Sequence, residues 1–291
     1  MRLKEALKNK RFVVTTEVQA PVEQETGGLI ENLNKIRGRV DGVLVSEVEF
    51  EGVAADTITA CEIISANRFE SIYQITTRDK NRLQIQKDLL EASKAGVDNL
   101  LVFTEDYRIT GDSLQEMMFF HLDAGKISSV LEHMREGRTV EGRDLESGAD
   151  FLLGSGVESA WGGKVPDLAL REMEEMTRVG AGYFLTTPVF DLDRFEKFLA
   201  RTSTFGVPVI AEVIILRTAG MARFLNRHFK PGLVPDRVIR RLAEAPDKEK
   251  ASIELFGNTV KGLKDICDGI HIITIGGEEK LRYYLDAAGL R

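Results

Sequence analysis

Between Ser71 and Tyr107 the hydrophobic positions change period twice, in the stretch SIYQITTRDKNRLQIQKDLLEASKAGVDNLLVFTEDY. Ser71 to Thr77 is short and β-prone. From Asn81 to Ala95 the apolar residues Leu83, Ile85, Leu89, Leu90 and Ala92 fall mostly on one helical face, with Lys and Glu elsewhere, and Gly96 stands where a left-handed residue closes a helix. Leu100 to Phe103 is an unbroken apolar run, as expected of a strand buried on both faces. The pattern predicts strand, helix, strand, with both strands ending in polar residues. Those are Thr76, Thr77, Arg78 and Asp79 after the first, and Thr104, Glu105 and Asp106 after the second. In parallel α/β folds ligands bind at the carboxyl ends of strands, so these clusters are candidate chemistry.

The same alternation runs along the chain. Strands are expected at Phe12 to Val18, Gly42 to Ser46, Ile72 to Thr77, Leu100 to Thr104, Phe151 to Gly154, Tyr183 to Thr187, Val209 to Ile215 and Ile270 to Ile275. Helical patterns lie between them, at Gly28 to Ile36, Asp56 to Asn67, Leu114 to Met134, Leu168 to Val179, Arg194 to Ala200 and Ala219 to Arg227. Eight such repeats in one chain predict a parallel (β/α)8 TIM barrel formed by residues 1–291 as a single domain. An open doubly wound sheet is the alternative, because periodicity does not show whether the eighth strand meets the first.

Two segments break the repeat. Glu136 to Gly148 is polar and glycine-rich and delays the fifth strand, which suggests an excursion or lid beside the site. In Phe229 to Asp268, Pro235 suits a helix start and Pro246 interrupts the pattern before a longer helix running towards Ile266. Composition narrows the class. A net charge of −7 and a pI near 5.4 argue against nucleic acid or an anionic membrane as partner. No apolar run reaches the ~18 residues of a membrane span and MRLKEALKNKRF has no signal-type apolar core, so a cytoplasmic enzyme or binding protein is expected. Cys61 and Cys267 are too few for a cysteine-held cluster and read as buried, reduced thiols.

Candidate chemistry gathers at strand ends. Glu17 lies near the end of the first strand, where a partly desolvated carboxyl can act as a general acid; an ordinary strand-end Glu is the plainer alternative. Ser46, Glu47 and Glu49 make the second strand's end acidic and polar. Asp106 can accept hydrogen bonds from a ring N–H or amino group. Thr186 and Thr187 fit either ligand contact or simple strand preference. Gly154, Ser155 and Gly156, and likewise Gly276 and Gly277, offer backbone to a phosphate or merely form tight turns. No dinucleotide fingerprint, Walker loop or nucleophile elbow is present. His121, His133, His228 and His271 show no metal-ligand spacing, and His271, inside the eighth strand, reads as a wall residue.

Four pieces carry a resemblance to a known family: VVTTEVQAP at Val13 to Pro21, TTRDKNRLQIQKDLLEASKAGVDNLLVFTED at Thr76 to Asp106, GAGYFLTTPVFD at Gly180 to Asp191, and GIHIITIG at Gly269 to Gly276. With FLLGSGVE at Phe151 to Glu158 in its expected place, the chain resembles the methylenetetrahydrofolate reductase family from the first strand to the eighth. The resemblance implies an FAD-containing barrel that reduces 5,10-methylenetetrahydrofolate to 5-methyltetrahydrofolate. By position, Glu17 is then the acid that opens the folate's five-membered ring, and Asp106 holds the pterin. Flavin contacts come from Ser46, Gln74, Thr76, Thr104 and Ser155, and Thr187 sits where the substrate is contacted.

Several positions depart from the family pattern. Glu105 stands in the middle of Thr104 to Asp106, where a Gly is usual, and Thr187 replaces a Gln. Glu172, Glu174 and Glu175 occupy a helix where basic residues usually face the flavin phosphates, leaving Arg171 and Arg178 nearby. Ala219 takes about the place of an aromatic residue that stacks on a nicotinamide. The resemblance to the acetogen branch implies electrons arriving from an iron-sulfur partner subunit. Two other classes stay open: a folate-binding or assembly subunit without flavin chemistry, and a barrel acting on another one-carbon or pterin substrate. Association into a homo-oligomer is compatible with any of them.

Overall fold

The computed structural model describes residues 2–19, 26–46, 49–50, 53–54, 56–76, 80–103, 124–146, 148–159, 167–229 and 231–290. Ten strands are present among them: β1 (Val13–Gln19), β2 (Gly42–Ser46), β3 (Glu49–Phe50), β4 (Val53–Ala54), β5 (Ser71–Thr76), β6 (Asn99–Phe103), β7 (Leu152–Val157), β8 (Tyr183–Pro188), β9 (Val209–Ile214) and β10 (Gly269–Ile273). The helices are α1 (Leu3–Lys8), α2 (Thr26–Asn34), α3 (Thr57–Ala66), α4 (Arg82–Lys94), α5 (Ala124–Arg135), α6 (Asp167–Val179), α7 (Leu192–Thr202), α8 (Ala219–His228), α9 (Asp236–Glu244), α10 (Lys248–Lys264) and α11 (Leu281–Ala287). All strands but β3 and β4 close into a parallel barrel in the order β1-β10-β9-β8-β7-β6-β5-β2. The first strand meets the last, with Val13 opposite Gly269 and Thr15 opposite His271, so the sheet is a (β/α)8 barrel and not an open sheet. β3 and β4 form a small antiparallel pair after β2.

Side-chain parity explains how the barrel is built. One set of alternate residues, including Val14, Val43, Tyr73, Val102, Leu153, Phe184, Ala211 and Ile270, packs outward against the helices in the largest core cluster. The other set points inward, and near the amino ends of the strands it is apolar: Val13, Leu44, Ile72, Leu101, Leu152, Tyr183, Leu185 and Ile210. Helix α1 adds Leu3, Ala6 and Leu7 to this inner cluster and so stoppers the amino-terminal end of the barrel. Tyr183 fills the lumen so closely that a Cβ on Gly154 would lie 2.1 Å from its ring. Gly269 is held to glycine by the neighbouring strand, because a Cβ there would stand 2.5 Å from the Val13 carbonyl oxygen.

Helix boundaries follow local chemistry. Asn81 caps α4 through a reciprocal pair: its side chain accepts from Gln84 N at 3.0 Å, and the Gln84 side chain accepts from Asn81 N at 2.7 Å. Gly96 follows with φ +77°. Pro235 is the N-cap residue of α9, and Asp247, next to Pro246, caps α10 by accepting from Lys250 N.

The segment from Glu136 to Gly148 is not a lid. It joins α5 to β7 and therefore leaves from the amino-terminal end of the barrel, opposite the end where strands finish. Arg138 and Asp144 form an isolated bridge, Val140 N donates to Gln86 Oε1 of α4 at 2.6 Å, and Ala149 N returns to the Met134 carbonyl. Its Val140 and Leu145 side chains pack against the main core cluster. Beneath it, Lys4 holds the Asp150 carboxyl below the usual carboxylate range with help from Arg135, tying α1 to the foot of β7.

Candidate active site in the upper half of the barrel

Above the apolar plug the inward positions turn polar. On β1 the inward series runs Val13, Thr15, Glu17; on β10 it reaches His271, and on β9 Glu212. Thr15 pairs with His271 and His271 pairs with Glu212, so three polar side chains from three adjacent strands stand in one row of the barrel wall. Neighbouring strands lie about 4.8 Å apart, which brings side chains in such a row into contact range.

The His271 ring is held from one side only. Its Nδ1 lies 2.9 Å from Thr15 Oγ1, and the side chain is 2% exposed. Its Nε2 is buried and has no hydrogen-bond partner among the described residues. That nitrogen faces Glu17, whose Oε2 is 3.8 Å away, beyond hydrogen-bond length but within ion-pair range. An unsatisfied buried nitrogen costs free energy, about 1–3 kcal/mol, and such atoms mark places where a proton, an ion or a ligand group completes the site.

Glu212 stands in the same row of the wall, in register with His271. Its position on β9 is set by an irregularity: the register with β8 runs Leu185 to Ile210 and then jumps to Pro188 opposite Glu212. The backbone N–H of Glu212 donates instead to Thr186 Oγ1 at 3.3 Å. Such bulges re-aim side chains beside active sites. By surface area the side chain is partly accessible, yet it lies inside the barrel wall. Enclosure, with the Glu17 charge as the lesser cause, pushes its carboxyl well above the usual carboxylate range.

The other expected site residues divide into three groups. Ser46 and Gln74 have inward parity, beside Leu44 and opposite Leu101 respectively. Ser46 Oγ makes a long bond of 3.4 Å to the Val18 carbonyl, and the Gln74 amide has no partner among the described residues. Thr76 ends β5 opposite Phe103. Ser155 points the other way: it is in register with Val102 and Phe184 of the outer layer, is 1% exposed, and donates to the Gly156 carbonyl. Thr187 reaches the upper rim, where its hydroxyl meets Ser159 Oγ at 2.9 Å and accepts from Ser159 N at 3.2 Å. Thr104 and Asp106 lie outside the described residues.

Two further expectations concern side groups. Cys61 is buried as expected whereas Cys267 is only half-buried; both are free cysteines, and enclosure pushes both thiols up to about 12. No group of three or more His, Cys, Asp or Glu suited to a metal ion occurs among the described residues. No helix described is long and apolar enough to cross a membrane. On α6, Glu174 pairs with Arg178 at 2.5 Å, so one of the two arginines near the acidic stretch is engaged on its own helix.

Comparison with known proteins completes the description. A family model described as methylenetetrahydrofolate reductase matches residues 2–289. No curated protein matches the chain. Among solved structures, an uncharacterized protein from Clostridium thermocellum that binds two copies of 5-methyl-5,6,7,8-tetrahydrofolic acid superposes with a TM-score of 0.60 at 14% identity, covering 99% of this chain and 98% of that one. A 2,3-dimethylmalate lyase of the PEP mutase/isocitrate lyase superfamily gives 0.54 at 13% identity, covering 93% and 78%. A tryptophan synthase from M. tuberculosis gives 0.54 at 10%, covering 100% and 99%. At these identities the structural matches attest the barrel fold alone.

Proposed function

This chain belongs to the methylenetetrahydrofolate reductase family, and from that premise we propose that it binds a reduced folate in the polar upper half of its barrel and reduces 5,10-methylenetetrahydrofolate to 5-methyltetrahydrofolate. The observation that carries the reading is the position of Glu17: an inward carboxyl in the upper half of the lumen, faced by a buried imidazole nitrogen with no hydrogen-bond partner among the described residues. A folate whose five-membered ring must open needs one proton at the departing nitrogen, and Glu17 is the acid placed to give it. The folate bound to the Clostridium thermocellum protein of the same fold supports the substrate class.

The family's cofactor is FAD, and the described residues fit its ring. Gln74 has inward parity and no amide partner among the described residues, and the one bond described for the Ser46 hydroxyl is long, so both are suited to bond a heterocycle. Ser46, Gln74 and the end of β5 at Thr76 would hold it, with Thr104 as a further proposed contact. When bound, the flavin supplies the hydride. The chain's own work is to bind the folate, to orient it, with Asp106 proposed on the pterin and Thr187 at the rim, and to present Glu17 to the departing nitrogen.

Electrons are proposed to come from an iron-sulfur partner subunit. Ala219 begins α8 where a stacking aromatic would stand, and Thr187 is already committed to Ser159. A nicotinamide therefore lacks the stacking partner, a contact worth about 0.5–1.5 kcal/mol beyond burial. A second reading, a folate-binding subunit without flavin chemistry, is favoured by one observation: Ser155 faces the helices.

Absorbance and stopped-flow mixing test these readings together. The purified chain titrated with FAD is expected to show a bound oxidised-flavin spectrum that NADH or NADPH bleaches far more slowly than turnover. Rapid bleaching requires the iron-sulfur partner. Failure to retain flavin, with folate still bound, would replace the reductase reading by the second one. Bleaching by a nicotinamide at the turnover rate would remove the partner.

A further inference from the structure

We propose that Glu212 is a proton store for the site, sharing one proton with Glu17 through His271. The inference rests on the reductase reading for its purpose and on geometry for its substance. Three adjacent strands supply the parts: Glu17 from β1, His271 from β10 and Glu212 from β9, with His271 and Glu212 in direct register. The central imidazole is anchored at Nδ1 by Thr15 and, among the described residues, has no hydrogen-bond partner at Nε2, the atom that faces Glu17 at 3.8 Å. An Nε2 with no fixed partner is free to accept a proton from one carboxyl and hand it to the other, since Nδ1 stays bonded to Thr15 throughout.

The charges around Glu212 are few. Among the described residues, β10 presents His271 and β1 presents Glu17, while β8 presents Thr186 and Pro188, which do not titrate. Two carboxylates enclosed together cannot both ionise without cost, so one retains a proton. Enclosure favours Glu212 as its resting place.

The transfer balances. In each turnover the Glu212 O–H bond breaks as its proton passes to His271 Nε2, the N–H bond formed there breaks as the proton reaches Glu17, and Glu17 gives it to the folate nitrogen. The imidazole ends neutral as it began, and both carboxyls are left ionised until solvent returns one proton to Glu212 when product leaves. A side-chain shift of about 1 Å brings the 3.8 Å gap to hydrogen-bond length. Because Glu212 acts through another residue, it is a positioning residue.

The test uses infrared difference spectroscopy and the pH profile of folate reduction on the flavin-loaded chain. At neutral pH the wild type is expected to show the carbonyl stretch of a protonated carboxylic acid. Glu212→Gln should abolish it, and Glu17→Gln should keep it but let it titrate away at lower pH, because the neighbouring charge is gone. In Glu212→Gln the alkaline limb of the reduction profile should move to lower pH, with about a tenfold loss of rate on that limb and little change on the acid side. Glu212→Asp should restore much of it. A purely structural Glu212 would lower the rate at every pH or at none. If Glu212→Gln leaves the carboxylic acid band in place, or its pH profile superimposes on the wild type, the proposal is overturned. Should Glu212→Gln not fold, the unshifted titration of the band in Glu17→Gln would overturn it instead. A chain that turns over no folate but loses the band in Glu212→Gln refutes the reductase reading and leaves the shared proton standing.

Discussion

Glu212 is costly to the fold in proportion to pH. Its carboxyl is held well above the ordinary carboxylate value by enclosure and, second, by Glu17. A group raised in this way contributes its stability in full below the unfolded value and loses it as pH rises through the folded one. Below about 4.5 both states carry the proton; above it the unfolded chain ionises while the folded chain must keep the group neutral. Glu212→Gln is therefore expected to melt with the wild type at acid pH and to gain on it progressively as pH rises above the ordinary carboxylate range. Thermal melts at a series of pH values check this, and equal melting points across the range would contradict the enclosure of Glu212. A residue that destabilises the molecule where it works fits a functional role. None of this was visible from residue order. Glu17 stood out as a carboxylate ending a strand, whereas Glu212 sits in VIAEVII, an apolar run in which one acid reads as an interruption.

Elements were legible where local rules decide them. Asn81 and Gln84, Gly96, Pro235 and Pro246 each mark a helix end by its own chemistry, and those ends lie within a residue or two of the pattern's expectation. The capping box on α4 is predicted to be worth about 1 kcal/mol, so Asn81→Ala should lower the denaturation midpoint without changing its cooperativity. An unchanged midpoint would mean the cap's role is taken by solvent. The direction of each strand residue was harder to read. In strands buried on both faces, alternation of apolar and polar residues disappears, so Ser155 could not be told from a lumen residue until its register with Val102 and Phe184 was known. The bulge between Leu185 and Pro188, which aims Glu212, has no turn residue to announce it. Glu136 to Gly148 was recognisable as an irregular loop, but its end of the barrel follows from topology: it succeeds a helix, not a strand.

The whole molecule divides its lumen in two. Below, α1 and a layer of Val, Leu, Ile and Tyr183 form a packed stopper; above, Thr15, Glu17, His271, Glu212, Ser46 and Gln74 make a polar chamber open towards the strand ends. The eightfold repeat of strand and helix made this architecture readable, since the repeat number and the short strands point to a closed barrel. The chamber depends on which strands become neighbours, and β1 beside β10 is a pairing across nearly the full chain length that no local pattern encodes. The central claim is that this chamber protonates a folate from Glu17. The most direct measurement is a single turnover of the chemically reduced, flavin-loaded chain with 5,10-methylenetetrahydrofolate, wild type against Glu17→Gln, with flavin content measured in both. The account predicts equal flavin content and reoxidation by the folate slowed by roughly 10²-fold or more in Glu17→Gln; reoxidation at the wild-type rate would contradict it.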